Sequence, residues 1–189
     1  MFIRVLFLFV LSCISSSVFS SPITYTFDEN HTLIKAQWEH MGFSKPYAVF
    51  SGVSGNLIFD ESAPEKSSVS ATIPLNKMTS FVDKLNNFLW SEKFFNVEKF
   101  PSIMFKSTSV LASGSLFMVE GDLTIKDVTL PVVVAATLNK KGFNSLRKSD
   151  AIGFDATVTL KRSAFNLTEY KDLVSDDVMI QVTAEAIKK

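Results

Sequence analysis

Few side chains in this 189-residue chain are of types that do chemistry. His31 and His40, the two histidines, are the first candidates for a metal site or a general base. Nine residues apart in an extended strand, an odd offset, they fall on opposite faces and roughly 30 Å from each other, so they cannot share an ion without a sharp bend. His31, beside Asn30, reads as a turn cap. His40, at an inward strand end, reads as a structural histidine or as a hydrogen-bond partner for a ligand head. Gly52-Val53-Ser54-Gly55 lacks both the spacing and the strand-to-helix turn of a nucleophile elbow. There is no phosphate-cradling glycine loop, dinucleotide fingerprint or histidine-rich helix. Asp172, Asp176 and Asp177 cluster near the last turn and read as a solvated loop rather than a cation site. Lys161 and Arg162 precede Phe165; Arg162 could meet an anionic head such as a pyrophosphate, although a surface arginine at a strand end is the plainer reading. No catalytic residue and no metal ligand set emerges.

The first twenty residues have the layout of a secretory leader: Arg4, the apolar run Val5 to Leu11, and Val18-Phe19-Ser20 before a cut expected after Ser20. The run is shorter than the roughly 20 apolar residues of a membrane-spanning helix, and no later stretch comes close. Cys13, the only cysteine, lies in this leader. Its surroundings only loosely resemble a lipoprotein signal, since Leu11 fits poorly. Cleavage after Ser20 would leave 21–189 as one exported domain without thiols, held by its core rather than by disulfides. Lys+Arg and Asp+Glu each number 19, and losing Arg4 with the leader gives a net charge of about −1. Such a balance, without a basic run, argues against nucleic acid as a partner. Asn30-His31-Thr32 and Asn166-Leu167-Thr168 match the N-glycosylation pattern, which matters only in a eukaryotic secretory route.

The elements that must position these residues are β-strands. Apolar and polar residues alternate through Ile34-Lys35-Ala36-Gln37-Trp38-Glu39, through Ile103 to Lys106 and through Phe154 to Lys161, the period of a sheet with one dry face. Strands are expected at about 23–27, 32–40, 48–59, 67–75, 101–111, 115–125, 128–139, 151–161 and 177–187. Polar turn signals separate them, among them Gly42 to Pro46, Lys126-Asp127 and Lys140 to Asp150. Many strands with short connections point to an antiparallel up-and-down sheet or barrel. One segment differs. From Ser80 to Trp90, apolar Phe81, Val82, Leu85, Phe88 and Leu89 recur at helical spacing, with Asp83, Lys84, Asn86 and Asn87 on the other side, and Ser80 with Asp83 resembles a capping box. This short amphipathic helix either plugs a barrel end as core or lines a ligand mouth.

Parity places Ile34, Ala36, Trp38 and His40 inward, with Leu57, Phe59, Val69, Ala71 and Ile73 from the next two strands. Ile103, Phe105, Phe117, Val119 and Leu123 follow, then Val132, Val134, Ala136, Phe154, Ala156 and Val158. Val178, Ile180, Val182 and Ala184 complete the rows. Bulky rings stand beside several alanines, a mixture that serves either a channel along the axis or tight packing.

A set of blocks in this order resembles the YceI-like polyisoprenoid-binding family. They are Asp28-x-x-His31-Thr32 through Trp38 to His40, Gly55-x-Leu57-x-Phe59-Asp60, Phe94-Phe95-Asn96, and Phe100-Pro101-x-Ile103-x-Phe105-x-Ser107. Gly121 to Ile125 with Val128-Thr129-x-Pro131-Val132, Arg162-Ser163-x-Phe165, and Val178-x-Ile180-x-Val182 continue the match over nearly all of 21–189. The resemblance implies an all-β, extended lipocalin-like antiparallel eight-stranded barrel, periplasmic or secreted, with a long isoprenoid chain inside. In the helical segment Thr79-Ser80 and Leu85-Asn86 stand where the family often has Asp-Thr and Arg-Asp pairs, and Asp127 replaces a usual glycine. These departures touch the expected head-group contacts rather than the barrel.

Together the readings suggest a non-enzymatic carrier needing no cofactor, whose cargo is an isoprenoid quinone or a prenyl phosphate. The ligand-binding residues expected are Ile34, Ala36, Trp38, His40, Phe59, Phe81, Leu85, Phe88, Leu89 and Ile103, with Phe105, Phe117, Val119, Leu123, Val134, Phe154, Ala156 and Val182. Such a cargo implies transient contact with a membrane or a membrane redox protein; the oligomeric state, a dimer included, stays open. A lipid-modifying enzyme with His40 as general base, and a stress-response module with a packed barrel, are the alternatives.

Overall fold

The computed structural model describes residues 21–189; the expected leader, its cut site and Cys13 lie outside the described residues. The first half of the chain forms short strands: β1 (Ile23–Phe27), β2 (Leu33–Gln37), β3 (Tyr47–Phe50), β4 (Ser54–Phe59), β5 (Ser68–Pro74) and β6 (Met78–Thr79). After the helix α1 (Asp83–Trp90) come long ones: β7 (Ser102–Ser113), β8 (Leu116–Ile125), β9 (Val128–Asn144), β10 (Ser149–Lys161) and β11 (Asp177–Lys188). β9 shows why: Val, Thr and Ala dominate its first half, and β-branched side chains suit a pleated surface.

All pairings are antiparallel, and the order β1-β4-β5-β7-β8-β9-β10-β11 returns to β1, closing a ring of eight strands. β11 is long enough to pair with β1 at Ala186–Lys188 and with β2 at Met179–Thr183. Above β1, β4 and β5 the ring therefore continues as β2, β3 and β6. Closure leaves few strand edges exposed, the liability of open sheets. Among the described residues no strand pairs with the outer edge of β6, and α1 and the aromatic turn after it lie on that side. Trp90 pins the helix end there, its Nε1–H donating to the Leu75 carbonyl at 3.2 Å.

Three details depart from the sequence expectations. The expected strand 48–59 is two strands, because Gly52 turns the backbone into the left-handed region at φ 68°, where a Cβ would also strike the Lys77 side chain at 2.4 Å. The helix begins at Asp83 rather than Ser80, and there is no Ser80–Asp83 capping box. Instead Asn86, expected on the wet face, is buried; its Oδ1 accepts from the Ser80 amide at 2.7 Å and the Ser80 hydroxyl at 2.8 Å, and its amide reaches the Thr79 hydroxyl. A neutral network thus occupies the place of the charged pairs that the resemblance implied. Finally, the turn expected over 140–150 shrinks, since β9 and β10 continue pairing to Asn144 and Ser149.

Two apolar clusters occupy the interior. The larger joins α1 and its following turn to the upper barrel, around Phe50, Leu75, Met78, Leu89, Phe95 and Phe165. The smaller lies at the other end, around Tyr25, Phe59, Val110, Phe117, Ile152 and Ala186.

Candidate ligand-binding site

Between these clusters the inward rows do not meet. Side chains from every strand position of the ring and from α1 enclose a cavity of about 960 Å³, near the top of the roughly 300–1,000 Å³ range of small-molecule sites. Register explains where the room comes from. Ala136 lies opposite Phe117, and Ala156 opposite both Ala136 and Val182, so methyl groups face the rings at that level. One step higher, Ala36 lies opposite Ala48 and Ile180. Gly121 serves the same end: a Cβ there would meet the Phe105 ring at 2.5 Å, so the missing side chain lets that ring lie against the wall instead of across the axis.

One end of the cavity is shut by aromatic rings. Phe59, Phe117 and Phe154 stand mutually tilted or edge-on, with centroids 5.7–6.4 Å apart, the spacing at which aromatic pairs attract. Close to their level, where β1 leads into β2, Asp28 is almost wholly buried and bound by Arg147 and by His31 Nδ1 at 3.0 Å. Burial alone would raise the Asp28 carboxyl, but hydrogen bonds from His31, the Asn30 amide and Arg147 outweigh it and hold the pKa at about 2. His31 therefore caps the turn between β1 and β2 through Asp28, far in role from His40.

The other end is ringed by three segments, 40–46, 80–84 and 166–176, whose His40, Ser44, Val82, Lys84, Tyr170 and Leu173 line the cavity. Arg162 shapes this end. It is not the surface arginine that its strand-end position suggested: it is buried, and its guanidinium donates to the carbonyls of Ser175 (3.0 Å), Glu169 (2.8 Å), Val174 (3.2 Å) and Leu167. One charged side chain thereby anchors the whole 166–176 loop. Asp176, held below the usual carboxylate range by the amide and hydroxyl of Ser163, and Asp177, paired with Lys161 at 2.9 Å, account for two of the three clustered acids.

The expected site residues converge, with one exception. Ile34, Ala36, Trp38, His40, Phe59, Leu85, Phe88, Leu89, Ile103, Phe105, Phe117, Val119, Leu123, Val134, Phe154, Ala156 and Val182 all line the cavity. Phe81 does not. Held at φ 62° ahead of the helix, it points outward, 68% exposed, and packs edge-on against Tyr47. Helical spacing could not place it, because the helix has not yet begun. The sequence reading also missed Ala48 and Phe50, hidden by the break at Gly52, and Val110, which a bulge between Ser107 and Ser109 turns inward. No buried side-chain nitrogen or oxygen among the described residues lacks a hydrogen bond. The wall is thus apolar with its buried polar groups already engaged, which suits a hydrocarbon tail held by shape, and the free polar side chains His40 and Lys84 stand at the mouth.

A closed eight-stranded antiparallel barrel with an apolar interior cavity and, among the described residues, one α-helix defines a lipocalin-like binding protein. The YceI-like domain family matches residues 25–186, and the chain belongs to that family. It is 31% identical over 181 residues to the UPF0312 protein ECA1782 of Pectobacterium atrosepticum, covering 95% of this chain and 94% of that one. Protein YceI of Salmonella arizonae is 31% identical over 159 residues, 84% of this chain and 83% of the relative. Among solved structures, BcnA of Burkholderia cenocepacia superposes with a TM-score of 0.76 at 25% identity over 84% of this chain and 98% of its own. A polyisoprenoid binding domain from Saccharophagus degradans, implicated in plant cell wall breakdown, has a TM-score of 0.68 at 13% identity, covering 88% and 99%, and shows the shared fold.

Proposed function

We propose that the protein is an exported, periplasmic carrier that encloses the tail of a long-chain isoprenoid lipid, such as a quinone or a prenyl phosphate, in the barrel and does no chemistry on it. The observation that carries this reading is the apolar cavity of about 960 Å³ running between an aromatic floor and a three-segment mouth. Each CH₂ moved from water into such a wall contributes roughly 0.8 kcal/mol, so a long tail supplies the driving force without a polar anchor, less the cost of ordering it. The head group then sits at the mouth, within reach of His40 and Lys84. The kinship with a domain described as polyisoprenoid binding and the secretory pattern of residues 1–20 support the cargo and the compartment. A catalytic reading finds less support: among the described residues the histidine ring paired with a carboxylate is that of His31, on Asp28, and not that of His40 at the mouth.

Trp38 reports on occupancy because it lines the cavity, whereas Trp90 does not. In a Trp90→Phe background, titration of lipid-free protein with an isoprenoid quinone should quench Trp38 fluorescence and saturate at one quinone per chain. Absence of quenching, or the same quenching by a quinone lacking the tail, would contradict the reading.

A further inference from the structure

The mouth carries a collar of exposed apolar side chains, of which Met41, Phe43 and Phe81 take no part in the cavity wall. Phe43 is 86% exposed at the tip of the first rim segment, with Met41 beside it; Phe81 and Val82 project from the second, and Tyr170 and Leu173 from the third. Soluble surfaces carry single apolar residues everywhere, but a cluster around an opening marks a contact surface. The three segments are tied into one rim. The Met41 amide donates to the Leu173 carbonyl at 2.9 Å, His40 bridges Val174, and Tyr170 packs on Phe88 of α1 at 5.3 Å. Met41, Phe81 and Tyr170, one from each segment, hold positive φ angles of 51°, 62° and 55°, a conformation uncommon for bulky side chains.

We propose that this collar is a bilayer-docking surface, through which the barrel's mouth opens directly onto lipid. The inference rests on the carrier reading, because a hydrocarbon tail that leaves a membrane for the tunnel without crossing water requires the mouth to be buried in the interface. Two features select a lipid surface over a protein partner. The collar projects around a hole, so a rigid protein face would meet only its tips, whereas lipid chains flow around each ring. Its flanking charges carry no positive excess: Lys45, Lys84 and Lys171 stand against Glu39, Asp83, Glu169 and Asp172. Such a rim has no electrostatic pull on anionic headgroups, so docking is driven by insertion of apolar side chains and salt does not weaken it.

The test is flotation of the mature protein, purified without detergent, with vesicles of phosphatidylcholine and of phosphatidylethanolamine with phosphatidylglycerol, at low and high salt. The expected result is partition into both, not weakened by salt, and lowered at least tenfold in a Phe43→Asp, Phe81→Asn double variant, whose altered side chains lie outside the cavity wall. Leu146→Asp, a fully exposed position on the turn joining β9 and β10 at the opposite end, should partition like the parent. Partition that is absent, confined to anionic vesicles, abolished by salt or undiminished in the double variant would overturn the proposal. Lipid content of the same samples by native mass spectrometry separates the two readings: a lipid-filled protein that ignores vesicles sinks docking alone, and a barrel that never holds lipid sinks the carrier.

Discussion

The two ends of the barrel solve opposite problems. At the floor, the ring of strands closes fully, three phenylalanines stack edge to face, and charged side chains are paired: Asp28 with Arg147 and His31, Glu61 with Lys141, Asp150 with Lys188. At the mouth, β6 ends the pairing, a two-turn helix and a loop replace strands, and apolar tips face outward. The floor is closed and tightly paired, and the mouth is where the proposed cargo would pass. Where polar groups are buried at the mouth, they bind backbone: Arg162 holds four loop carbonyls, and Asn86 holds the residues leading into α1.

Breaking the floor should cost most. Phe154→Ala deletes a ring in contact with Phe59 and Phe117, and large-to-small aromatic changes in a core cost about 3 kcal/mol, read as a lower urea midpoint. A loss below about 1 kcal/mol would show that the floor is loosely packed. Arg162→Met strikes the mouth instead. It leaves several carbonyls without donors, so a loss of about 2 kcal/mol is expected, together with faster proteolysis within 166–176. Lys161→Met, which breaks only an exposed pair, should change stability by less than about 0.5 kcal/mol.

Filling the channel separates binding from folding. Ala36→Phe with Ala156→Phe places rings at the two alanine levels, and quinone affinity should fall at least about tenfold, some 1.4 kcal/mol. The fold should survive, because the added volume enters an existing cavity rather than a packed core. A further effect concerns acid. Since the Asp28 carboxyl is held at about 2 in the folded protein, against 3.8 ordinarily, its contribution is present above the ordinary value and fades as pH drops toward 2. After allowance for solvent screening the contribution is about 1 kcal/mol. Asp28→Asn should flatten that part of the profile in urea melts between about pH 5 and 2. An unchanged profile would place acid sensitivity elsewhere, for instance at Asp60, whose pKa its hydrogen bond from Ser62 lowers.

The long strands were legible because period two persists through them: the inward rows of β8, β10 and β11 need no correction. Legibility failed where one residue resets the parity, at Gly52 between β3 and β4 and at the bulge near Thr108 in β7. It failed again at Phe81, which shares the helix's spacing but not its backbone, and at Arg162, whose charge suggested surface while its five donors allowed burial among carbonyls. The cavity itself was beyond reach. Alanines beside rings are compatible with a filled or an open axis, and only cross-strand register shows that Ala136 and Ala156 stand at one level.

A carrier of this kind needs an axis empty of protein and occupied by lipid. Native mass spectrometry of the protein, expressed from the full 189-residue sequence and purified without detergent, tests it directly. One isoprenoid-sized adduct per chain is expected, absent from the Ala36→Phe, Ala156→Phe variant. A parent protein that carries no adduct, and acquires none when offered a polyprenyl phosphate or an isoprenoid quinone, would contradict it.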